Sequence, residues 1–124
     1  MSQQIAAFEK TLVAGEDMTA KQFYIVQLDA TGKAEVAEGA TDLILGVLQN
    51  KPNTGEAALY RFLGTAKVIA GGSVAIGDWV TTDSAGKAVA TTTDGNITIG
   101  RALEAADSGD IFEVQLSIQH LYIA

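Results

Sequence analysis

The sequence predicts an all-β fold, either a small barrel or a two-sheet body, built from an internal duplication. Three observations lead there. First, the chain lines up with itself at an offset of 54 residues, as from Val26 to Val80, without a gap from Ile25 to Gly64. Val26, Asp29, Gly32, Lys33 and Ala34 fall on Val80, Asp83, Gly86, Lys87 and Ala88. Second, the matched residues are mostly turn-formers, so a backbone path repeats and no reactive group repeats with it. Third, short runs of β-branched and aromatic residues alternate with turn tetrads, and the 13 glycines and single proline suit roughly eight to ten short strands.

Residues 1–9 stand outside the repeat and read as a flexible N-terminal arm, followed by one β domain over residues 10–124. Its repeat halves span about 14–64 and 70–118, with Ala14-Gly15 answering Ala70-Gly71 once two residues are allowed for. Helix signals are poor; Ile5 to Lys10 and Ala37 to Leu43 each have room for one turn.

The first β run is Phe23 to Leu28. Asp29-Ala30-Thr31-Gly32 then turns the chain, and Lys33 to Ala37 returns it. An aspartate can bond its own backbone two residues on, and glycine accepts positive φ, so D-x-x-G between two apolar runs predicts a hairpin. Trp79 to Thr82 and Asp83-Ser84-Ala85-Gly86 do the same in the second half. Leu43 to Leu48 and Ile97 to Leu103 follow, each with a glycine in mid-strand, Gly46 and Gly100. Such a glycine marks a bulge, a bend or a close backbone approach. Asn53-Thr54-Gly55-Glu56 and Asp107-Ser108-Gly109-Asp110 are matching turns into Ala58 to Leu63 and Ile111 to Ile118. In the last run Phe112, Val114, Leu116 and Ile118 alternate with polar residues, the pattern of a half-buried strand.

One domain of this length buries roughly two-thirds of its unfolded surface. The chain is 48% hydrophobic but only 6% aromatic, so alanine and valine should make a finely divided core. Tyr60, Phe62, Trp79 and Phe112 are the expected large core residues. There is no cysteine, which removes disulfides, thiol catalysis and thiolate zinc sites. No run of about eighteen apolar residues crosses a membrane, and no secretory signal is visible at the start. The net charge of −7 opposes general binding to nucleic acid. After Gly71 only Lys87 and Arg101 oppose seven acidic residues, which reads as a solvated surface.

Catalytic chemistry is sparse. His120 is the only histidine and has no partner motif for general base work. Glu16-Asp17 and the pair Asp107 and Asp110 are explained by turn chemistry and solubility before calcium binding. No catalytic, cofactor or metal site is expected. Leu121-Tyr122-Ile123-Ala124 is unusually apolar for a chain end. Leu121, Tyr122 and Ile123 either pack back on their own domain or form a subunit interface.

The residues quoted resemble the small capsid decoration, or cement, proteins of tailed bacteriophages. The resemblance lies in Gly77-Asp78-Trp79-Val80, in Asp83 to Ala88, in Ile99-Gly100-Arg101-Ala102-Leu103-Glu104-Ala105, and in Gly109-Asp110 to Leu116. It covers nearly the whole chain past the arm. It implies a homotrimer that binds the major capsid protein on the outside of the expanded shell and stabilises the head. It also implies assembly in the host cytoplasm, and contact with the shell through the N-terminal segment, here Ser2, Gln3, Gln4, Ile5 and Phe8. A carbohydrate-binding β module is the alternative, with Tyr24, Tyr60, Trp79 and Tyr122 as stacking candidates. An enzyme built around His120 is the third reading and has the least support.

Overall fold

The computed structural model describes residues 8–39, 43–93 and 96–120, with Gln119 and His120 as backbone alone. Among these residues there is no helix and there are nine strands. They are β1 (Phe8–Val13), β2 (Ile25–Leu28), β3 (Ala34–Val36), β4 (Ile44–Leu48), β5 (Ala57–Ile69), β6 (Trp79–Thr82), β7 (Ala88–Ala90), β8 (Ile97–Ala102) and β9 (Ile111–His120). All pair antiparallel in one sheet of order β3-β2-β4-β5-β9-β8-β6-β7, with β1 off this path against β5.

The order reads alike from both ends. Each side has a short hairpin at its outer edge and a long strand at the centre. The registers agree at the same 54-residue offset: Val26–Val36 with Val80–Ala90, Ile25–Val47 with Trp79–Arg101, and Val47–Arg61 with Arg101–Gln115.

The sheet is curled into a half-barrel. β2 and β6 are five steps apart in the sheet order, about 24 Å if it were flat at roughly 4.8 Å per step. Yet the Ile25 N–H donates to the carbonyl of Gly86, in the turn after β6, at 2.8 Å. Ile25 and Val47 also share one buried cluster with Val80, Ile99 and Phe112. A smaller cluster holds Met18, Val26, Leu48, Ala58 and Tyr60. Nine buried alanines, among them Ala34, Ala66 and Ala88, give the finely divided core that the composition predicts.

The hairpin turns are built by their aspartates. Asp29 Oδ1 accepts the N–H of Thr31 at 2.8 Å and of Lys33 at 2.9 Å. Asp83 Oδ1 accepts the N–H of Ala85 and of Lys87, each at 2.9 Å. Gly46 and Gly100 are close approaches. A Cβ on Gly46 would fall onto the carbonyl of Arg61, and one on Gly100 onto that of Gln115. Register shifts lie beside both, in the β2–β4 and β8–β9 pairings.

Four details depart from the sequence reading. β1 starts at Phe8, so Phe8 and Glu9 belong to a strand rather than to the arm, and residues 8–10 hold no helical turn. The span 37–39 and Leu43 are likewise not helical. Phe23 and Tyr24 precede β2, because Phe23 takes φ 72, which no strand accommodates. The strand expected over Ala58 to Leu63 continues to Ile69, because Leu63 to Ile69 pair with β9 of the other half.

Candidate protein-docking surface

β5 carries the site. Its first part lies between β4 and β1, and its second part pairs with β9. Leu63 marks the changeover, with Phe8 on one side and Ser117 on the other. Ala58 and Tyr60 face the smaller core cluster. Phe62 is next on that pleat face, but the cluster ends at Tyr60, and Phe62 stays 37% exposed. The expectation that Phe62 is core is therefore corrected: it stands at the rim. Phe112 and Tyr60 are core as expected, at 1% and 5% exposure.

Phe8 completes the patch. It is 53% exposed, and its ring stacks on Phe62 with centroids 6.3 Å apart and planes at 26°. Tyr60 approaches the same Phe62 ring at 6.1 Å, tilted by 50°. A cleft of about 480 Å³ opens beside them, lined by Ile44, Leu45, Tyr60, Phe62, Leu63 and Ile118 among others. Leu43, next to it in sequence, is also strongly exposed. Burial holds the Tyr60 phenol above its ordinary pKa.

A charge clamp fixes the edge of this patch. Arg61 lies opposite Glu9 in the β1–β5 register, and its Nη2 donates to Glu9 Oε2 at 2.8 Å. Its Nη1 donates to the Thr65 carbonyl at 2.9 Å. The clamp sits beside the irregularity between Phe8 and Glu9, where the direction of the entering chain is set. Among the described residues β1 has β5 as its one neighbour, so its outer edge is unpaired.

The other expected residues fall elsewhere. Ser2, Gln3, Gln4 and Ile5, and Leu121, Tyr122 and Ile123, lie outside the described residues. Of the aromatic candidates, Trp79 has the Arg101 guanidinium over its ring at 4.6 Å and Tyr24 has the Lys21 ammonium at 4.7 Å. Tyr60 is buried, and Tyr122 is outside the described residues. The acidic pairs serve loops. Glu16 Oε2 accepts the Val36 N–H and Asp17 Oδ1 the Thr19 N–H, while Asp110 Oδ2 accepts the Asp107 N–H at 3.0 Å. Among the described residues no three His, Cys, Asp or Glu side chains gather as metal ligands do. His120 closes β9 opposite Ile97.

The signal for the Phe62 patch was present in the sequence. Phe62-Leu63 are adjacent apolar residues in a period-two strand, so one of them must face away from the core. What the pattern lacks is Phe8, which reaches Phe62 only through β1–β5 pairing.

A family model for phage cement proteins matches residues 3–118. No curated protein sequence matches. Among solved structures, the head fiber gp8.5 N base of bacteriophage phi29 is similar, with a TM-score of 0.69 at 21% identity. The alignment covers 94% of this chain and 99% of that one, and shows a shared fold.

Proposed function

The chain belongs to the phage cement protein family, structural proteins of the virion head, and from that premise we propose that it clamps the outer surface of the expanded capsid as a homotrimer. The observation that carries this reading is the exposed Phe8–Phe62 stack at the head of a strand whose outer edge is unpaired among the described residues. An apolar patch there, rimmed by the Glu9–Arg61 pair, suits a protein partner. In this reading the partner is the major capsid protein. In the same reading Ser2, Gln3, Gln4 and Ile5, which precede Phe8 in sequence, also contact the shell. An extended segment on an open edge can add main-chain hydrogen bonds to a partner sheet.

The energetic logic is linkage. A protein that binds the expanded shell better than other states stabilises it by the difference. Three weak attachments on one rigid body raise the effective concentration of each. The closely corresponding registers of β2–β5 and β6–β9 favour an origin by internal duplication. Assembly in the host cytoplasm, onto the capsid exterior, follows from the same reading.

Rebinding of purified protein to undecorated expanded heads tests it. Saturable binding at a fixed ratio to capsid protein, with heads surviving harsher heating, is the expected result. Absence of binding at micromolar concentration overturns it.

A further inference from the structure

The two halves differ in how their hairpin turns are seated. In the second half the Asp83–Lys87 turn is seated: Gly86 is buried, its carbonyl takes the Ile25 N–H at 2.8 Å, and its α-carbon lies against Val36 and Ala37. Ser84 and Ala85 at the turn tip line the same groove as Val36 and Ala37. The equivalent turn of the first half, Asp29–Lys33, has the same internal hydrogen bonds and the same positive φ at Gly32. Yet Ala30, Thr31, Gly32 and Lys33 are exposed, and a Cβ on Gly32 would meet nothing within 4 Å.

The seat also exists twice. Ile25, Val36 and Ala37 form it in the first half, where the Ala37 N–H donates to the Ile25 carbonyl at 2.9 Å. At the 54-residue offset stand Trp79, Ala90 and Thr91, and the Thr91 N–H donates to the Trp79 carbonyl at 2.9 Å. This second seat is a cleft of about 260 Å³ lined by Gly77, Asp78, Trp79, Ala90, Thr91 and Thr92. Among the described residues no turn occupies it. Among the described residues there are thus one filled turn-and-seat contact, one open turn and one open seat.

We propose that the Asp29–Lys33 turn of one copy seats in the Trp79–Ala90–Thr91 cleft of the next, repeating between chains the contact that joins the halves within one. The occupant is a second copy of this chain, because the open turn matches in backbone and hydrogen bonding the turn that fills the equivalent seat. The contact joins two different surfaces, so it is head-to-tail, and such contacts close into rings or run on as filaments. It rests on the reading that the protein works as a trimer, for which the ring closes after three chains and continues one type of half-to-half contact all the way round.

Two substitutions at exposed positions test it: Ala30→Arg at the turn tip and Ala90→Arg at the cleft wall. Sedimentation should show that each weakens self-association tenfold or more. Mixed together, the two variants should form one-to-one heterodimers and stop there, because each retains the surface that the other lacks. Trp79 is the sole tryptophan, so its emission should shift to the blue as wild-type chains assemble and stay red in either variant. Variants that assemble as wild type, a mixture that forms no heterodimer, or a wild-type chain that stays monomeric overturns the proposal. Rebinding to heads, measured in parallel, separates the two readings. Variants that still assemble and decorate heads refute this contact alone, a monomer that decorates heads refutes both the contact and the trimer, and a ring that ignores heads refutes the capsid role alone.

Discussion

Gly100 lies so close to the main-chain carbonyl of Gln115 that a Cβ there would overlap it, and Gly46 stands in the same relation to Arg61. In each case the glycine sits where the central strand of its half is crowded by its neighbour, beside a register shift. Backbone cannot retreat as a flexible side chain can, so Gly100→Ala and Gly46→Ala should each cost roughly 3 kcal/mol or more in denaturant unfolding. Gly55 and Gly109 have positive φ but open space around them. Alanine there should cost only about 1 kcal/mol, the left-handed penalty by itself.

Phe23 takes φ 72 at the position where the second half has Gly77 with φ 87. Both residues donate their N–H to the last carbonyl of a neighbouring strand, Phe23 to Leu48 of β4 and Gly77 to Ala102 of β8, each at 2.8 Å. The backbone path is therefore imposed by pairing, and Phe23 bears the strain. Phe23→Gly and Phe23→Ala both lose the ring, but only alanine keeps the strained φ. Thermal melts should rank Phe23→Gly above Phe23→Ala by about 1 kcal/mol, the reverse of the usual order for these two residues.

Phe62 and Phe112 should separate function from stability. Phe112→Ala empties a buried site and should cost about 3–5 kcal/mol. Phe62→Asp changes a rim residue that is 37% exposed. It should change stability by less than about 1 kcal/mol while reducing attachment to heads at least tenfold, read by co-sedimentation. A Phe62→Asp protein that decorates heads normally would remove the patch from the capsid contact.

Removal of residues 1–7 should leave the melting temperature within a few degrees of the full chain, because β1 begins at Phe8. Saturation binding to expanded heads should weaken clearly in the same protein. A collapse of the melting temperature would make that segment part of the folded body.

The Asp29 carboxyl is held below its ordinary pKa, chiefly by the Lys33 N–H and then by the Thr31 hydroxyl. A depressed carboxylate contributes stability above the unfolded pKa and loses it as pH falls through the folded value. The stability gap between wild type and Asp29→Ala should therefore be widest near neutral pH and narrow steadily below about pH 4. Urea titrations at pH 7 and pH 3 measure it, and a gap that widens in acid would contradict the assignment.

The turns, the strand pairs around them and the alternation of β9 were legible in the residues alone. Those depend on neighbours a few residues apart: an aspartate bonding two and four residues on, a glycine at positive φ, side chains alternating across a pleat. The sequence also carried the resemblance to cement proteins, because turn spacing survives in a single chain. How far β5 runs, which way the sheet curls and where Phe62 ends up emerge only once the chain is folded. Phe8 meets Phe62, and Gly86 meets Ile25, across more than fifty residues of chain. Such meetings depend on the curvature of the whole sheet, which no local pattern encodes. Among the described residues, the open turn at Gly32 and the open cleft at Trp79 go with the same curvature, which brings Gly86 against Ile25.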